Sequence, residues 1–359
     1  DLVARPTTLA DVDFGDWRLL DVDLLVVGRL AQIGEDQFRI NFQLLDILRG
    51  QALLSYQLNS TRAGLRVAAH RISDMIFEQL TGIAGVFSTR IAYVSVEGTA
   101  PATRHRLVVA DADGFNARIV FDSPEPIMSP AWSPDGRKLA YVSFEQRRSA
   151  VVVQTLRDGT QQTVSARAGI NGAPAFSPDG RKLALTLSKD DGNLDIYVLE
   201  LASQVLTRMT RSAAIDTEAT WSPDGRDIYF TSDRSGGPQI YRIASAGGDQ
   251  PRRVTFEGHY TARPRLSPPG EELAVVFNDR GNYRIAVVDL ATSISQVLTD
   301  GQLDESPSYA PNGATLIYAT RDRGKGVLSA VSTDGRIKQR IAAVAGEVRE
   351  PVWAPFRPF

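Results

Sequence analysis

The sequence predicts a mainly β chain: a six-bladed β-propeller over residues 86–359, closed by its C-terminal strand and preceded by a small α/β domain of sheet plus helix over residues 1–85. A turn unit recurring every 43 to 45 residues, a β-rich strand after each turn, and two complementary chain ends point to this fold. The turns are Ser133-Pro-Asp-Gly-Arg137, Ser177-Pro-Asp-Gly-Arg181, Ser222-Pro-Asp-Gly-Arg226, Ser267-Pro-Pro-Gly-Glu271 and Ala310-Pro-Asn-Gly-Ala314. Proline presets φ, and the Asp-Gly or Asn-Gly step accepts positive φ, so each unit reverses a short strand.

The strands that follow are Leu139–Ser143, Leu183–Leu187, Ile228–Ser232, Leu273–Phe277 and Leu316–Thr320, with Ile91–Ser95 as a sixth copy. Third strands are expected at Ala150–Gln154, Asp195–Leu199, Gln239–Ile243, Tyr283–Val288 and Val327–Val331. A short fourth ends in Val-Thr or Leu-Thr, and four short strands make one blade. The Ile91 strand has no turn before it, whereas Pro351-Val-Trp-Ala-Pro355 matches Pro130-Ala-Trp-Ser-Pro134 but has no strand after it. The C-terminal segment is therefore expected to complete the first blade and remove the free edges of an open array.

Residues 1–85 read differently. Alternating runs at Asp23–Gly28, Gln37–Leu45 and Ala52–Leu58 are strands of one antiparallel meander, with Gly50 suited to a tight connection. Thr61 is placed to cap a helix whose Leu65, Ala69, Ile72, Ile76 and Leu80 share one face toward the sheet, and Gly82 to end it. This layer is expected to be partial, its opening strand and helix falling before Asp1, which begins in what reads as a loop. With no initiator Met and no signal-peptide pattern, the chain reads as a mature or trimmed product.

Composition excludes several functions. The 40 basic and 42 acidic residues leave a net charge of −2, without the basic excess that nucleic acid requires. Without cysteine there is no disulfide, thiolate-bound zinc or thiol nucleophile. The apolar run Leu19–Leu30 is broken by Asp21 and Asp23 and is too short to span a bilayer, so no transmembrane segment is expected.

Catalytic signals are equally sparse. His70 in the helix, His105 in a polar loop of blade one and His259 in another loop read as ordinary surface histidines, and no Gly-x-Ser-x-Gly elbow occurs. Asp11-Val-Asp13 and Asp111-Ala-Asp113-Gly114 lack the full calcium-loop spacing and are explained by turn chemistry. Asp135, Asp179 and Asp224 recur because the turn does. Trp132, Trp221 and Trp353, with Phe176 and Tyr309 at equivalent positions, are spaced for packing between adjacent blades. The pairs Arg147-Arg148 and Arg252-Arg253 suit solvated strand ends or turns. No catalytic residue, metal ligand or cofactor is assigned.

In a propeller the innermost strands converge on a channel, and the residues entering them rim one mouth. Those triplets are Ile127-Met128-Ser129, Asn171-Gly172-Ala173, Asp216-Thr217-Glu218, Thr261-Ala262-Arg263, Asp304-Glu305-Ser306 and Val348-Arg349-Glu350. Asp216, Glu218, Asp304, Glu305 and Glu350 oppose only Arg263 and Arg349, so a partner presenting basic and hydrogen-bond-donating groups is favoured.

Longer strings narrow the family. Leu80-Thr-Gly-Ile-Ala-Gly-Val-Phe-Ser-Thr-Arg-Ile-Ala-Tyr-Val94, Met128-Ser-Pro-Ala-Trp-Ser-Pro-Asp-Gly136, Asn171-Gly-Ala-Pro-Ala-Phe-Ser-Pro-Asp-Gly180 and Val331-Ser-Thr-Asp-Gly-Arg336 resemble the TolB family, periplasmic propellers of the Tol-Pal envelope system. The resemblance covers nearly the whole chain. It implies a non-enzymatic periplasmic scaffold that supports outer-membrane integrity and cell division. It also implies binding of the peptidoglycan-associated lipoprotein Pal through the propeller and of Tol membrane proteins through the N-terminal region. Set against the family, this sequence is expected to lack the extreme N-terminal segment that the resemblance implicates in binding TolA. The likeness carries Pal docking onto Met128, Ala173, Thr217 and Glu218. Relatives can carry a polar residue at Ile170, so that contact is either apolar or lost here. The competing expectation is a propeller enzyme or accessory domain, polysaccharide-lyase-like or from a serine peptidase.

Overall fold

In the computed structural model, which describes residues 5–99, 101–188, 192–248, 250–342 and 346–356, the recurrent turn is held by its own side chains. The Ser133 hydroxyl donates to Asp135 Oδ1 at 2.5 Å and accepts from the Lys138 amide at 2.9 Å, while Asp135 Oδ1 also accepts from the Arg137 amide at 3.0 Å. Ser177–Asp179 and Ser222–Asp224 repeat the arrangement. At Ser267 a proline replaces the aspartate, and the serine hydroxyl still accepts from the Glu272 amide. Gly136, Gly180, Gly225, Gly270 and Gly313 all have positive φ. A β-carbon on Gly270 would lie 3.1 Å from Pro223 of the preceding turn, so the turns nest blade upon blade.

The Asp179 carboxyl is held below its ordinary value, chiefly by the Ser177 hydroxyl and then by the Arg181 amide. A lowered folded value means that this stabilisation is complete above the unfolded value of about 3.9 and is lost as pH falls through the folded one. Asp179→Ala is expected to flatten the melting-temperature profile below about pH 4, with its difference from the parent greatest at neutral pH. A constant difference across the acid range would contradict that role.

Each turn joins an inner strand to a second strand, and six four-stranded antiparallel sheets result. Inner strands are Ile127–Trp132, Asn171–Phe176, Asp216–Trp221, Thr261–Leu266, Glu305–Tyr309 and Glu347–Trp353. The last pairs with Arg90–Glu97, aligning Trp353 with Ile91, and the Ala354 amide donates to the Arg90 carbonyl at 2.9 Å. The C-terminal segment thus supplies the inner strand of the first blade and closes the ring. Outer strands are short where a threonine ends them. The hydroxyls of Thr210, Thr255 and Thr299 accept from the amides of Ile196, Ile240 and Ile285, satisfying donors the ladder has left.

Apolar side chains gather between neighbouring blades. Trp132 packs with Ala92, Val94 and Leu107 of blade 1 and with Leu139 and Tyr141 of its own blade. Trp221 sits between blades 3 and 4 with Ile196, Val198, Ile228 and Phe230, and Tyr309 between blades 5 and 6. Indole N–H groups cross the seams: Trp132 donates to the Val352 carbonyl at 3.2 Å and Trp221 to the Ala175 carbonyl at 3.0 Å.

Compact units comprise residues 1–88 and 89–359. In the first, β1 (Leu24–Gly34), β2 (Gln37–Asp46) and β3 (Gln51–Thr61) form the meander in that order. Before β1 the expected loop contains a short helix, α1 (Phe14–Leu19), capped by Asp13, whose carboxylate accepts from the Gly15 amide at 2.8 Å. Asp11 likewise accepts from the Thr8 amide, so both aspartates serve local caps. Val12, Phe14 and Trp17 cover one sheet face at Val27, Leu45 and Ile47.

Helix α2 (Leu65–Thr81) ends at Gly82, φ +72°, as its glycine requires. Its N-cap is Gly64; Thr61 still belongs to β3, and its hydroxyl accepts from the Gly64 amide. Ala68 is buried and Leu65, Ile72 and Ile76 of the expected face are half-buried, whereas Ala69 and Leu80 are exposed; the chain after Gly82 folds back along the helix. There Asp74 accepts from the Phe87 amide at 2.7 Å and Phe77 meets Phe87 edge-on. In the propeller, His105 lies in the strand Arg104–Asp111 rather than a loop, since the hairpin before it is longer than its polarity suggested.

Candidate docking mouth and its family

All six inner strands slip register at the same place. Pairing jumps from Met128 to Ala131, Gly172 to Ala175, Thr217 to Thr220, Ala262 to Arg265, Glu305 to Ser308 and Arg349 to Val352. The third residue of each triplet, Ser129, Ala173, Glu218, Arg263, Ser306 or Glu350, takes positive φ between 44° and 56°. A bulge bends the strand and re-aims a side chain, and these six residues meet around a constriction of about 30 Å³.

Arg263 organises that waist. Its Nε lies 2.7 Å from Glu218 Oε1 and its Nη2 4.0 Å from Glu350 Oε1, while Nη1 donates to the Ser306 hydroxyl. Glu350 accepts from the Ser129 amide, and the Glu218 amide donates to Thr186 Oγ1 at 3.2 Å. Side chains from blades 1, 4, 5 and 6 are thereby tied across the axis. Burial pushes the Glu350 carboxyl above its ordinary value against the pull of Arg263. The Arg263 guanidinium is raised despite burial because Glu218, Glu350 and Glu305 surround it.

The triplets divide by position. First residues Ile127, Asn171, Asp216, Thr261, Asp304 and Val348 are all buried and form no rim. Asn171 accepts from the Ser165 hydroxyl at 2.6 Å. Asp216 is gripped by Arg234 Nη2 at 2.7 and 2.8 Å, and Asp304 accepts from the Thr320 hydroxyl at 2.5 Å. Two of the five acids counted at the mouth are therefore spent inside the blades. Ala262 is also buried. Met128, Ile170 and Ile215 are exposed apolar residues at the mouth, 42%, 51% and 48% accessible, with Gly172, Thr217 and Glu305 half-buried beside them. Arg349 is exposed and paired with Glu347.

Reading the triplets alone missed Arg234, which matches no repeated position, and Arg265, two residues beyond the last triplet residue of its blade. The signal for Arg265 was present in the repeat. Ala131, Ala175, Thr220, Ser308 and Val352 occupy its position in the other inner strands, and only blade 5 places a long cation there.

The family model described as the TolB beta propeller domain matches residues 77–357, and the TolB amino-terminal domain matches residues 1–53. The Tol-Pal system protein TolB of Xanthomonas campestris pv. campestris (strain B100) is 47% identical over 358 residues, which are 99% of this chain and 81% of that protein. Its counterpart from Xanthomonas oryzae pv. oryzae (strain PXO99A) gives the same identity and coverage. The crystal structure of TolB from Acinetobacter baumannii superposes with a TM-score of 0.91 at 44% identity, covering 97% of this chain and 87% of that one. No helix among the described residues is long and apolar enough to cross a membrane. By propeller, by amino-terminal domain and by identity along almost its full length, this chain belongs to the TolB family, non-enzymatic β-propeller proteins of the Tol-Pal system.

Proposed function

We propose that the chain is a periplasmic interaction scaffold that docks Pal reversibly over the propeller mouth and so contributes to outer-membrane integrity and cell division. Its two modules, residues 1–85 and 86–359, divide the work, with the N-terminal region engaging other Tol proteins. One observation carries the choice of face: exposed apolar Met128 and Ile170 stand beside the recessed acids Glu218, Glu305 and Glu350 at the channel mouth. Apolar anchors flanking a partly desolvated charged centre suit a partner that presents donors to the channel. Met128, Ser129, Ile170, Gly172, Ala173, Thr217, Glu218, Arg263, Glu305, Arg349 and Glu350 form this surface, with Ser306 buried at the waist. Asn171, Asp216, Thr261, Ala262 and Asp304 support it from inside.

Calorimetric titration with a soluble Pal domain tests the reading. Glu218→Lys is expected to weaken binding about tenfold or more, and Arg147→Glu, at the tip of a hairpin, by less than about twofold. Absence of any affinity at low salt sinks the assignment, and equal effects of the two reversals refute docking at the channel axis, since the Arg147 hairpin opens on the same face farther out.

A further inference from the structure

We propose that the opposite end of the channel, inside the ring of Ser-Pro-Asp-Gly turns, is a binding site for a small organic monocarboxylate with an apolar or aromatic body, held by Arg265. This goes beyond the docking reading and does not depend on it.

Below the waist the channel widens into a vestibule of about 400 Å³. Pockets of this size with apolar walls and a few placed polar groups are typical of small-molecule sites. Trp132, Trp221 and Trp353 line it together with Pro134, Pro223 and Pro268. Among the described residues lining it, Arg265 is the one with a formal charge, and no carboxylate shares the wall.

Arg265 has the chemistry of an unfilled anion receptor. A guanidinium carries five N–H donors. Among the described residues its one hydrogen bond is from Nη1 to the Pro264 carbonyl at 2.8 Å, and it forms no ion pair. Its neighbour Arg263 takes Glu218 and Ser306 instead. Burial lowers the Arg265 guanidinium below its ordinary value; Glu218 and Glu350 reach it only through their field, and Arg263 opposes them. Arg265 is partly accessible, so its unused donors are open to a ligand, and a carboxylate can accept two of them in parallel. A phosphate dianion would bring a second charge for which the vestibule has no counter-ion. The indole and proline walls then require an apolar body.

Phenylacetate, phenylacetamide, inorganic phosphate and the tripeptide Ala-Ala-Phe with a free or amidated C-terminus are the probes. Tryptophan fluorescence of the full chain is the readout, since three tryptophans line the site. Phenylacetate is expected to bind saturably, phenylacetamide at least about tenfold more weakly, and Arg265→Gln to weaken phenylacetate by a similar factor while Arg265→Lys retains part of it. If the free-acid tripeptide exceeds both phenylacetate and its amide, the carboxylate comes from a chain terminus; if phenylacetate binds better, from a free small acid. Should Arg265→Gln fail to fold, Trp221→Phe replaces it, and the proposal then expects altered phenylacetate affinity. No saturable binding of any carboxylate, equal binding of acid and amide, phosphate binding as tightly as phenylacetate, or affinity unchanged by the variant used overturns it.

Discussion

Trp221→Ala is expected to destabilise the propeller by about 3–5 kcal/mol, and Trp221→Phe by only about 1–2 kcal/mol. Trp221 is 8% accessible and fills the seam between blades 3 and 4 among Ile196, Val198, Ile228 and Phe230. Alanine removes that contact and leaves a cavity that sheets held by their own ladders cannot close. Phenylalanine keeps most of the apolar contact and loses only the N–H donated to the Ala175 carbonyl. Urea denaturation gives both values from midpoints at constant slope. A ring of blades transmits the loss, because each sheet is packed on both sides. If alanine and phenylalanine differ by less than about 0.5 kcal/mol, the aromatic residues are not interblade wedges, and a role at the vestibule wall explains them better.

Arg234→Met is expected to cost about 3–5 kcal/mol, because it strands the Asp216 carboxylate where water does not reach. Asp216 is fully buried, and both of its oxygens accept from Arg234 Nη2. The guanidinium also lies 4.9 Å from the Tyr241 ring centroid and donates through Nε to the Ser232 hydroxyl at 2.8 Å. Adding Asp216→Asn to Arg234→Met is expected to recover much of the loss, since the stranded charge disappears with its cause. A double-mutant cycle in urea checks this. Additive costs would mean that the two side chains act separately and that the contact contributes little.

How far the sequence could be read differs between scaffold and site. The turn was legible because its chemistry is local. Proline and a positive-φ glycine recur in all five turns, and serine and aspartate add the local hydrogen bonds in three of them, so the pattern can be counted along the chain. The closure by Pro351–Pro355 was legible because the repeat leaves one strand over at each end. α2 was legible in extent and in Leu65, Ile72 and Ile76, which are half-buried, but not in Ala69 and Leu80, which are exposed, while the segment around Phe87 packs on Asp74 and Phe77.

The mouth was legible as a set of positions and misread as a set of charges. Asp216 and Asp304 carry the same charge as Glu218 and Glu350, yet the pleat turns the first residue of every triplet into its blade and the bulge turns the third into the channel. One slip of register decides which acids a partner meets.

By itself, then, the sequence determined the number of blades, their turns, their closure and the family, because each depends on residues adjacent in the chain or on a repeat that can be counted. Only the tertiary structure decided which mouth residues are accessible, that Arg263 ties blades across the axis, and that Arg265 stands with most of its donors unused among tryptophans and prolines. Those facts depend on side chains brought from different blades to one axis, and neither spacing nor composition encodes the distance between them.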